Sequence, residues 1–409
     1  MSDLRGLRVM AVHAHPDDEA LWTGGLLAHL SRRGADVRVV TCTLGEQGEV
    51  IGEPMQGLIA DEADMLGGFR YRELEDSLRI LGVNGVHHRP CVLGGVGHWR
   101  DSGMVGTPSA DHPRAFVNSG PQAVDELKAL MREFCPDIVV TYGPDGGYGH
   151  PDHIRAHEIT HVAVSELPHT SASELSGKVP GDSDDMDLFS AVLACHHSDR
   201  GTFADYGIPD PVVLWAVRGE TALKQAGRAI FDIPDGWVSP SGMEFSFIDD
   251  STVPVDTADT ADTASREKIQ DKITEPDLAF VPDDLVDLAV QLTDADIEAQ
   301  ANAMAAHATQ LWIADGRQSW TNPESAWAVS DPTVAPKVFA LSNRISQPLM
   351  REEHYVMAYG GSGLWERTTP ARHAYDSSVV RARGRGAFSL DQTQGGAEHD
   401  TSEQSGRHR

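Results

Sequence analysis

Apolar and polar positions alternate in blocks over the first part of the chain. Leu7-Arg8-Val9-Met10-Ala11-Val12 is an apolar run of strand length that passes directly into His13-Ala14-His15-Pro16-Asp17-Asp18-Glu19. From Ala20 to Arg32 the apolar residues Leu21, Leu26, Leu27 and Leu30 fall at helical spacing, and Gly34 supplies a stop. The β-branched run Val37-Arg38-Val39-Val40-Thr41-Cys42-Thr43 predicts the next strand, followed by the glycine-rich loop Gly45-Glu46-Gln47-Gly48-Glu49. A helical region is predicted over about Leu58 to Leu81, with a break at Gly67-Gly68. Ala123, Val124, Leu127, Leu130 and Met131 mark another amphipathic helix. Asp137-Ile138-Val139-Val140-Thr141-Tyr142 then reads as a buried strand ahead of the loop Gly143-Pro144-Asp145-Gly146-Gly147.

Strands alternating with helices predict an α/β fold, a Rossmann-like parallel sheet with right-handed crossovers and helices on both faces. Ligands in such folds bind outside the carboxyl ends of the strands. The two unusual polar clusters, His13–Glu19 and Tyr148–His153, each follow a strand end and can therefore meet there. Residues 1–165 form the catalytic region in this reading. Residues 166–187, rich in Ser, Gly, Asp and Pro, read as a polar insertion, and 188–250 continue the catalytic domain with a strand at Val212–Val217. The repeat Asp256-Thr257-Ala258-Asp259-Thr260-Ala261-Asp262-Thr263-Ala264 marks 251–275 as a low-complexity linker. A less regular C-terminal region, 276–375, completes the substrate site. It carries a helical pattern near Asp294 to Leu311 and ordered stretches at Ala340–Asn343 and His354–Met357. Residues 376–409 are expected to be a disordered tail.

Composition narrows the function. Of 409 residues, 40% are hydrophobic, enough for a sizeable core in one large domain or two. The formal charge of -29, from 33 Lys+Arg against 62 Asp+Glu, repels phosphate backbones and anionic headgroups, so neither nucleic acid nor membrane is expected as a partner. No apolar targeting segment follows Met1-Ser2-Asp3-Leu4-Arg5-Gly6 and no apolar run spans a bilayer, which predicts a cytoplasmic protein. The cysteines Cys42, Cys91, Cys135 and Cys195 are scattered without a CxxC pair, so a metal here must be held by His and carboxylate.

In His15-Pro16-Asp17-Asp18-Glu19, Pro16 suits the first turn of a helix, and His15 and Asp18, three apart, can share a side while Asp17 points elsewhere. Taken alone, these carboxylates serve equally well as helix caps. In Tyr148-Gly149-His150-Pro151-Asp152-His153 a second His-Pro pair opens a helix, with His150 and His153 three apart. Alone these are surface histidines beside a loop. Together the clusters offer two imidazoles and one carboxylate with an open position, which suits one catalytic divalent ion, zinc first and ferrous iron second. Asp17 and His150 then lie close enough to supply a base and an acid.

These two clusters resemble the signature of the LmbE/PIG-L-type metal-dependent N-acetylglucosamine deacetylases. Thr41–Gly52, Gly67-Gly68-Phe69-Arg70, Trp99-Arg100-Asp101-Ser102-Gly103-Met104 and Gly146–His150 further resemble the members of that family that act on N-acetyl-glucosaminyl-inositol in mycothiol biosynthesis. The likeness returns near His307-Ala308-Thr309-Gln310 and Leu341-Ser342-Asn343 and is absent from the insertions and the tail. It implies a metal-dependent amide hydrolase that frees acetate and an amine from that small amino-sugar inositol. In that reading His15, Asp18 and His153 hold the metal and Asp17 is the general base. His150 is acid or electrostatic stabiliser with Asp152 as its partner, and Tyr148 polarises the acetyl carbonyl. Glu49, Arg70, Asp101 and Asn343 contact sugar or inositol hydroxyls. Without the resemblance, Arg70 could equally pair with a local acid and Asp101 cap a turn. A mycothiol S-conjugate amidase is the near alternative, against which Leu21-Trp22-Thr23-Gly24-Gly25 and Arg100–Gly103 favour the deacetylase. A non-catalytic nucleotide-binding protein is the distant one. No GxGxxG follows the first strand, and an acidic turn there would repel a pyrophosphate.

Overall fold

The computed structural model describes residues 3–167, 188–197, 211–239, 279–322 and 325–359. The apolar run after Leu7 forms β1 (Arg8–His13), with five of its six residues buried. From there α1 (Asp18–Arg32), β2 (Asp36–Thr41), α2 (Leu66–Leu81) and β3 (Cys91–Val92) step outward in one direction. Next, α3 (Gly120–Phe134) returns the chain to β4 (Ile138–Tyr142) on the other flank of β1. After it come α4 (Pro151–Ser165), α5 (Leu188–His197) and β5 (Val212–Val217). These five strands are parallel in the order β3-β2-β1-β4-β5. α1 packs against α2 and α3 against α4, the arrangement that right-handed crossovers leaving β1 in opposite directions produce. β4 is buried at every residue, as a strand covered on both faces must be.

The later chain supplies α6 (Glu220–Arg228), β6 (Ile230–Asp232), β7 (Leu288–Gln291), α7 (Asp294–Ala306), β8 (Leu311–Ile313), β9 (Val329–Ser330), β10 (Lys337–Leu341), β11 (Gln347–Leu349) and β12 (Glu352–Tyr359). β12 pairs antiparallel with β5, and β7 closes the edge beyond it, so the sheet is mixed rather than wholly parallel. β8, β10 and β11 form a small antiparallel sheet, and β6 pairs with β9. One hydrophobic core joins both halves of the sequence, with Leu26, Leu30, Val39 and Leu78 packed in the same cluster as Ile297, Met304, Leu311 and Tyr355.

Two predicted helices differ at their ends. The helix expected from Leu58 begins at Leu66, after a separate 3-10 turn at Glu53–Leu58. Gly67 then lies in its first turn, where an added Cβ would stand 2.8 Å from Glu46 Cγ, so the glycine admits the 45–49 loop rather than breaking the helix. The helix expected to reach Leu311 stops at Ala306, because Leu311 is taken into β8. At its other end Thr293 and Asp296 form a capping box. Most of the expected insertion, the low-complexity linker and the tail lie outside the described residues. No helix among the described residues is long and apolar enough to cross a membrane.

The chain leaves β1 towards β2 and leaves β4 towards β5, in opposite directions. The crevice at their carboxyl ends is the switch point where such sheets bind ligands. His13–Glu19 and Tyr148–His153 both open onto it.

Candidate metal centre

Two tight turns build the site. In the turn after β1, Asp17 takes φ 115° and ψ -29°. A residue with a Cβ is strained there by roughly 1–3 kcal/mol and persists only where its surroundings hold it. Glu19 Oε2 accepts the Asp17 N–H at 3.0 Å, and the Asp17 carbonyl accepts the N–H groups of Ala20 and Leu21. The Asp17 side chain caps no helix N–H. In the turn after β4, His150 is the N-cap of α4, its Nδ1 accepting the Asp152 N–H at 3.1 Å, and Pro151 occupies the first turn. Gly146, at φ 66°, lets this loop fold over His153, since a Cβ there would come 2.8 Å from the His153 Cβ.

The turns bring three donor atoms into a closed triangle. His15 Nδ1 lies 3.2 Å from His153 Nε2 and 3.5 Å from Asp18 Oδ2, and His153 Nε2 lies 3.3 Å from the same Oδ2. Donors around a tetrahedral ion with bonds of about 2.0–2.1 Å stand about 3.3–3.4 Å apart, so the spacing fits such an ion. The far side of each ring supports the same reading. His153 Nδ1 faces the Gly146 carbonyl at 3.0 Å, and His15 Nε2 faces Asp152 Oδ2 at 3.3 Å. With the far nitrogens assigned as the donors in those bonds, two lone pairs face each other and a carboxylate. A cation resolves that arrangement. Tyr142 stacks on His153 at 4.2 Å and 16°, fixing the ring plane. His150 offers a further nitrogen within 4.8 Å of those of His15 and His153.

The remaining expected residues have these neighbours in the structure. Asp152, expected beside His150, meets that ring through its backbone N–H, while its carboxylate meets His15 and accepts the Ser102 N–H at 2.9 Å. Arg70, expected on inositol hydroxyls, is buried. It donates to the carbonyls of Gly45 (2.8 Å) and Pro16 and pairs with Asp17 Oδ1 at 3.1 Å. Asp101 is likewise buried, accepting from Gln47 and Gly103 N–H and lying 3.6 Å from His15 Nε2. Asn343 is exposed and holds its own turn by accepting the Ile345 N–H. Tyr148 is 39% exposed, its ring 5.0 Å from that of His153. Glu49 lines a cavity of about 860 Å³ with Gln56, Trp312, Asn322, Ser342 and Arg344.

Burial dominates the electrostatics. It lifts Asp17 to about 6 even though Arg70 pulls the other way. Burial, with His15 and His153 close by, lowers His150 to about 2, so that imidazole is neutral. Burial would also raise Asp101, but His15 outweighs it and holds that carboxyl well below its usual range.

Sequence reasoning passed over a second, fully buried group. Glu19 Oε1 lies 2.7 Å from His307 Nε2 and accepts from Ser77 Oγ, and Glu73 accepts from the Thr309 N–H and hydroxyl. The available signal was Glu19 itself, a third carboxylate in a helix start that needs no more than one.

Residues 10–164 match the family model described as PIG-L, GlcNAc-PI de-N-acetylase. The chain is 86% identical over 98% of its length to the whole of a 1D-myo-inositol 2-acetamido-2-deoxy-alpha-D-glucopyranoside deacetylase of Corynebacterium kroppenstedtii. It is 48% identical to the protein of the same name from Corynebacterium efficiens, over 88% of this chain and 90% of that one. Among solved structures, an N,N'-diacetylchitobiose deacetylase from Pyrococcus horikoshii is similar at 26% identity and a TM-score of 0.30, over 39% of this chain and 49% of that one. With near-complete mutual coverage at 86% identity, the chain belongs to the PIG-L family and, within it, to the 1D-myo-inositol 2-acetamido-2-deoxy-alpha-D-glucopyranoside deacetylases.

Proposed function

We infer that this protein hydrolyses the acetamide of 1D-myo-inositol 2-acetamido-2-deoxy-alpha-D-glucopyranoside to acetate and the free amine, using one divalent ion, zinc or ferrous iron. The observation that carries the reading is the triangle of His15 Nδ1, Asp18 Oδ2 and His153 Nε2 with the uncapped carboxylate of Asp17 beside it. When bound there, such an ion supplies Lewis acidity, which activates water and polarises the acetyl carbonyl near neutral pH.

The remaining chemistry falls to the chain's own residues. Asp17, held by Arg70 and unclaimed by any helix N–H, accepts the proton of the attacking water. His150 uses Nδ1 as an acceptor, so its proton sits on Nε2. A neutral ring in that tautomer donates a hydrogen bond to the tetrahedral oxyanion but has no second proton to give. The departing nitrogen therefore takes its proton from Asp17. Tyr148 donates a second hydrogen bond to the oxyanion from the open side. The inositol end lies in the cavity by Glu49, where Arg344 supplies donors and Trp312 an aromatic face with a buried indole N–H that has no partner among the described residues.

The test is acetate release from the inositol conjugate, N-acetylglucosamine and a mycothiol S-conjugate, each with metal-free protein and with added zinc or ferrous iron. Metal-dependent release fastest from the inositol conjugate is expected. Absence of release under every metal condition would overturn the reading, and faster cleavage of the S-conjugate would replace it with the amidase.

A further inference from the structure

We propose that His307 is a positioning residue for the reaction: through Glu19 it holds Asp17 in the strained backbone conformation from which Asp17 works. The proposal rests on the reading of Asp17 as the base. Asp17 is held on two sides. Arg70 pairs with its carboxylate, and Glu19 Oε2 takes its backbone N–H at 3.0 Å. A residue with a Cβ at φ 115° does not keep that conformation by local preference, so the acceptor on its N–H matters. That acceptor is itself placed by tertiary contacts. Glu19 is fully buried, and its other oxygen is gripped by His307 Nε2 at 2.7 Å and by the Ser77 hydroxyl.

His307 reaches this position from the opposite end of the chain, 288 residues from Glu19. It lies just past α7, its N–H on the Met304 carbonyl, and is fully buried. Two residues on, Thr309 is tied to Glu73 of α2 through both its N–H and its hydroxyl at 2.8 Å. Since α2 also supplies Arg70 and Ser77, one helix reaches both clamps on Asp17. A Glu19 without His307 would be a buried carboxylate short of a donor, free to turn towards Ser77 and release the Asp17 N–H. The residues that make the metal triangle have no hydrogen bond to His307 among the described contacts.

The experiment compares full-length His307→Ala, His307→Gln, Ser77→Ala and Asp17→Asn with the wild type. It reads metal stoichiometry, kcat and KM for acetate release, and hydrogen exchange of a peptide covering Asp17. His307→Ala should keep one metal per chain and KM within about twofold while losing roughly tenfold to a hundredfold in kcat, the scale of a misplaced catalytic group. Exchange of the Asp17 peptide should speed up. His307→Gln, whose amide N–H can still reach Glu19, should recover most of the loss, a rescue that simple core filling does not predict. In an Asp17→Asn background the His307→Ala change should have no further effect on the residual rate. Wild-type kcat in His307→Ala, no advantage of Gln over Ala, or loss of the metal would overturn the proposal. If His307→Ala fails to fold, Ser77→Ala frees the same carboxylate oxygen from one donor and should lower kcat severalfold; an unchanged value overturns the proposal equally. Near-normal turnover of Asp17→Asn would instead overturn the base assignment itself.

Discussion

Arg70→Ala separates the two roles that can be given to this arginine. The guanidinium is buried and its terminal nitrogens meet the Gly45 carbonyl, the Pro16 carbonyl and Asp17 Oδ1. Nε, also buried, has no partner among the described residues. Truncation leaves a buried carboxylate without its cation, a loss of about 3–5 kcal/mol when nothing relaxes. The share felt in turnover is the misplacement of Asp17, roughly tenfold to a hundredfold, or about 1.4–2.7 kcal/mol. Because Arg70 pairs with Asp17, the proposed base at the acetamide that every N-acetyl sugar presents identically, the loss should be the same for the inositol conjugate and for N-acetylglucosamine. Arg70→Lys should recover little, since one ammonium cannot serve three acceptors spread over a planar fork. The assay is kcat/KM for both substrates side by side, with metal content measured on the same samples. The ratio of the two values should stay within about twofold of the wild type. A tenfold or larger loss confined to the conjugate would refute this reasoning and put the guanidinium on the inositol ring.

Other expectations follow from other parts of the structure. Trp312→Ala and Arg344→Ala, in the cavity beside Glu49, should slow the inositol conjugate by roughly tenfold while leaving N-acetylglucosamine within twofold, and equal slowing of both would remove the cavity from substrate binding. Alanine at His15, Asp18 or His153 should abolish stoichiometric metal binding; full occupancy in His153→Ala, measured by elemental analysis, would break the triangle. Stability should also fall in mild acid through His157 and His161, which burial lowers to about 4, His161 with help from His157. With folded values below the ordinary 6.5, this contribution is complete above pH 6.5 and is lost as pH falls towards 4, on the order of 1–3 kcal/mol per imidazole after allowance for partial exposure. His161 Nε2 accepts the Trp215 indole N–H at 2.8 Å, so His161→Gln should keep an acceptor and flatten the urea midpoint between pH 7 and 5; an unchanged slope would count against it.

What could be read from the sequence was local. The strand before His13, the helix over Leu21–Leu30 and the buried strand ending at Tyr142 each carry their periodicity within a dozen residues. The paired His-Pro turns were legible for the same reason, and the rule that ligands gather at strand carboxyl ends brought them together. Strand direction is not written in side-chain alternation, so His354–Met357 could be seen as ordered but not as the antiparallel neighbour of β5. Partner choice was equally hidden. Whether Asp152 meets His15 or His150 depends on how two turns dock across the sheet, and whether Arg70 faces solvent or Asp17 depends on how far α2 leans towards the 45–49 loop. No spacing within either segment encodes those distances.

Asp17 shows why the missing part mattered most for function. Read locally, Pro16 followed by two carboxylates and Glu19 describes an ordinary helix start, in which the first Asp caps and the next two favour the dipole. That conformation would direct the Asp17 carboxylate onto the helix N–H groups and away from the crevice. The observed backbone, at φ 115°, leaves the carboxylate uncapped and paired with Arg70 instead. Local preference loses here to contacts contributed by α2 and by the segment after α7, neither of which can be inferred from the motif. Strain held at one residue by distant partners is the signature expected where a side chain must be kept from its easiest hydrogen bond so that it can make a less easy one during reaction. The motif therefore specifies which groups are present, and the rest of the chain keeps the Asp17 carboxylate uncapped, as the proposed base requires.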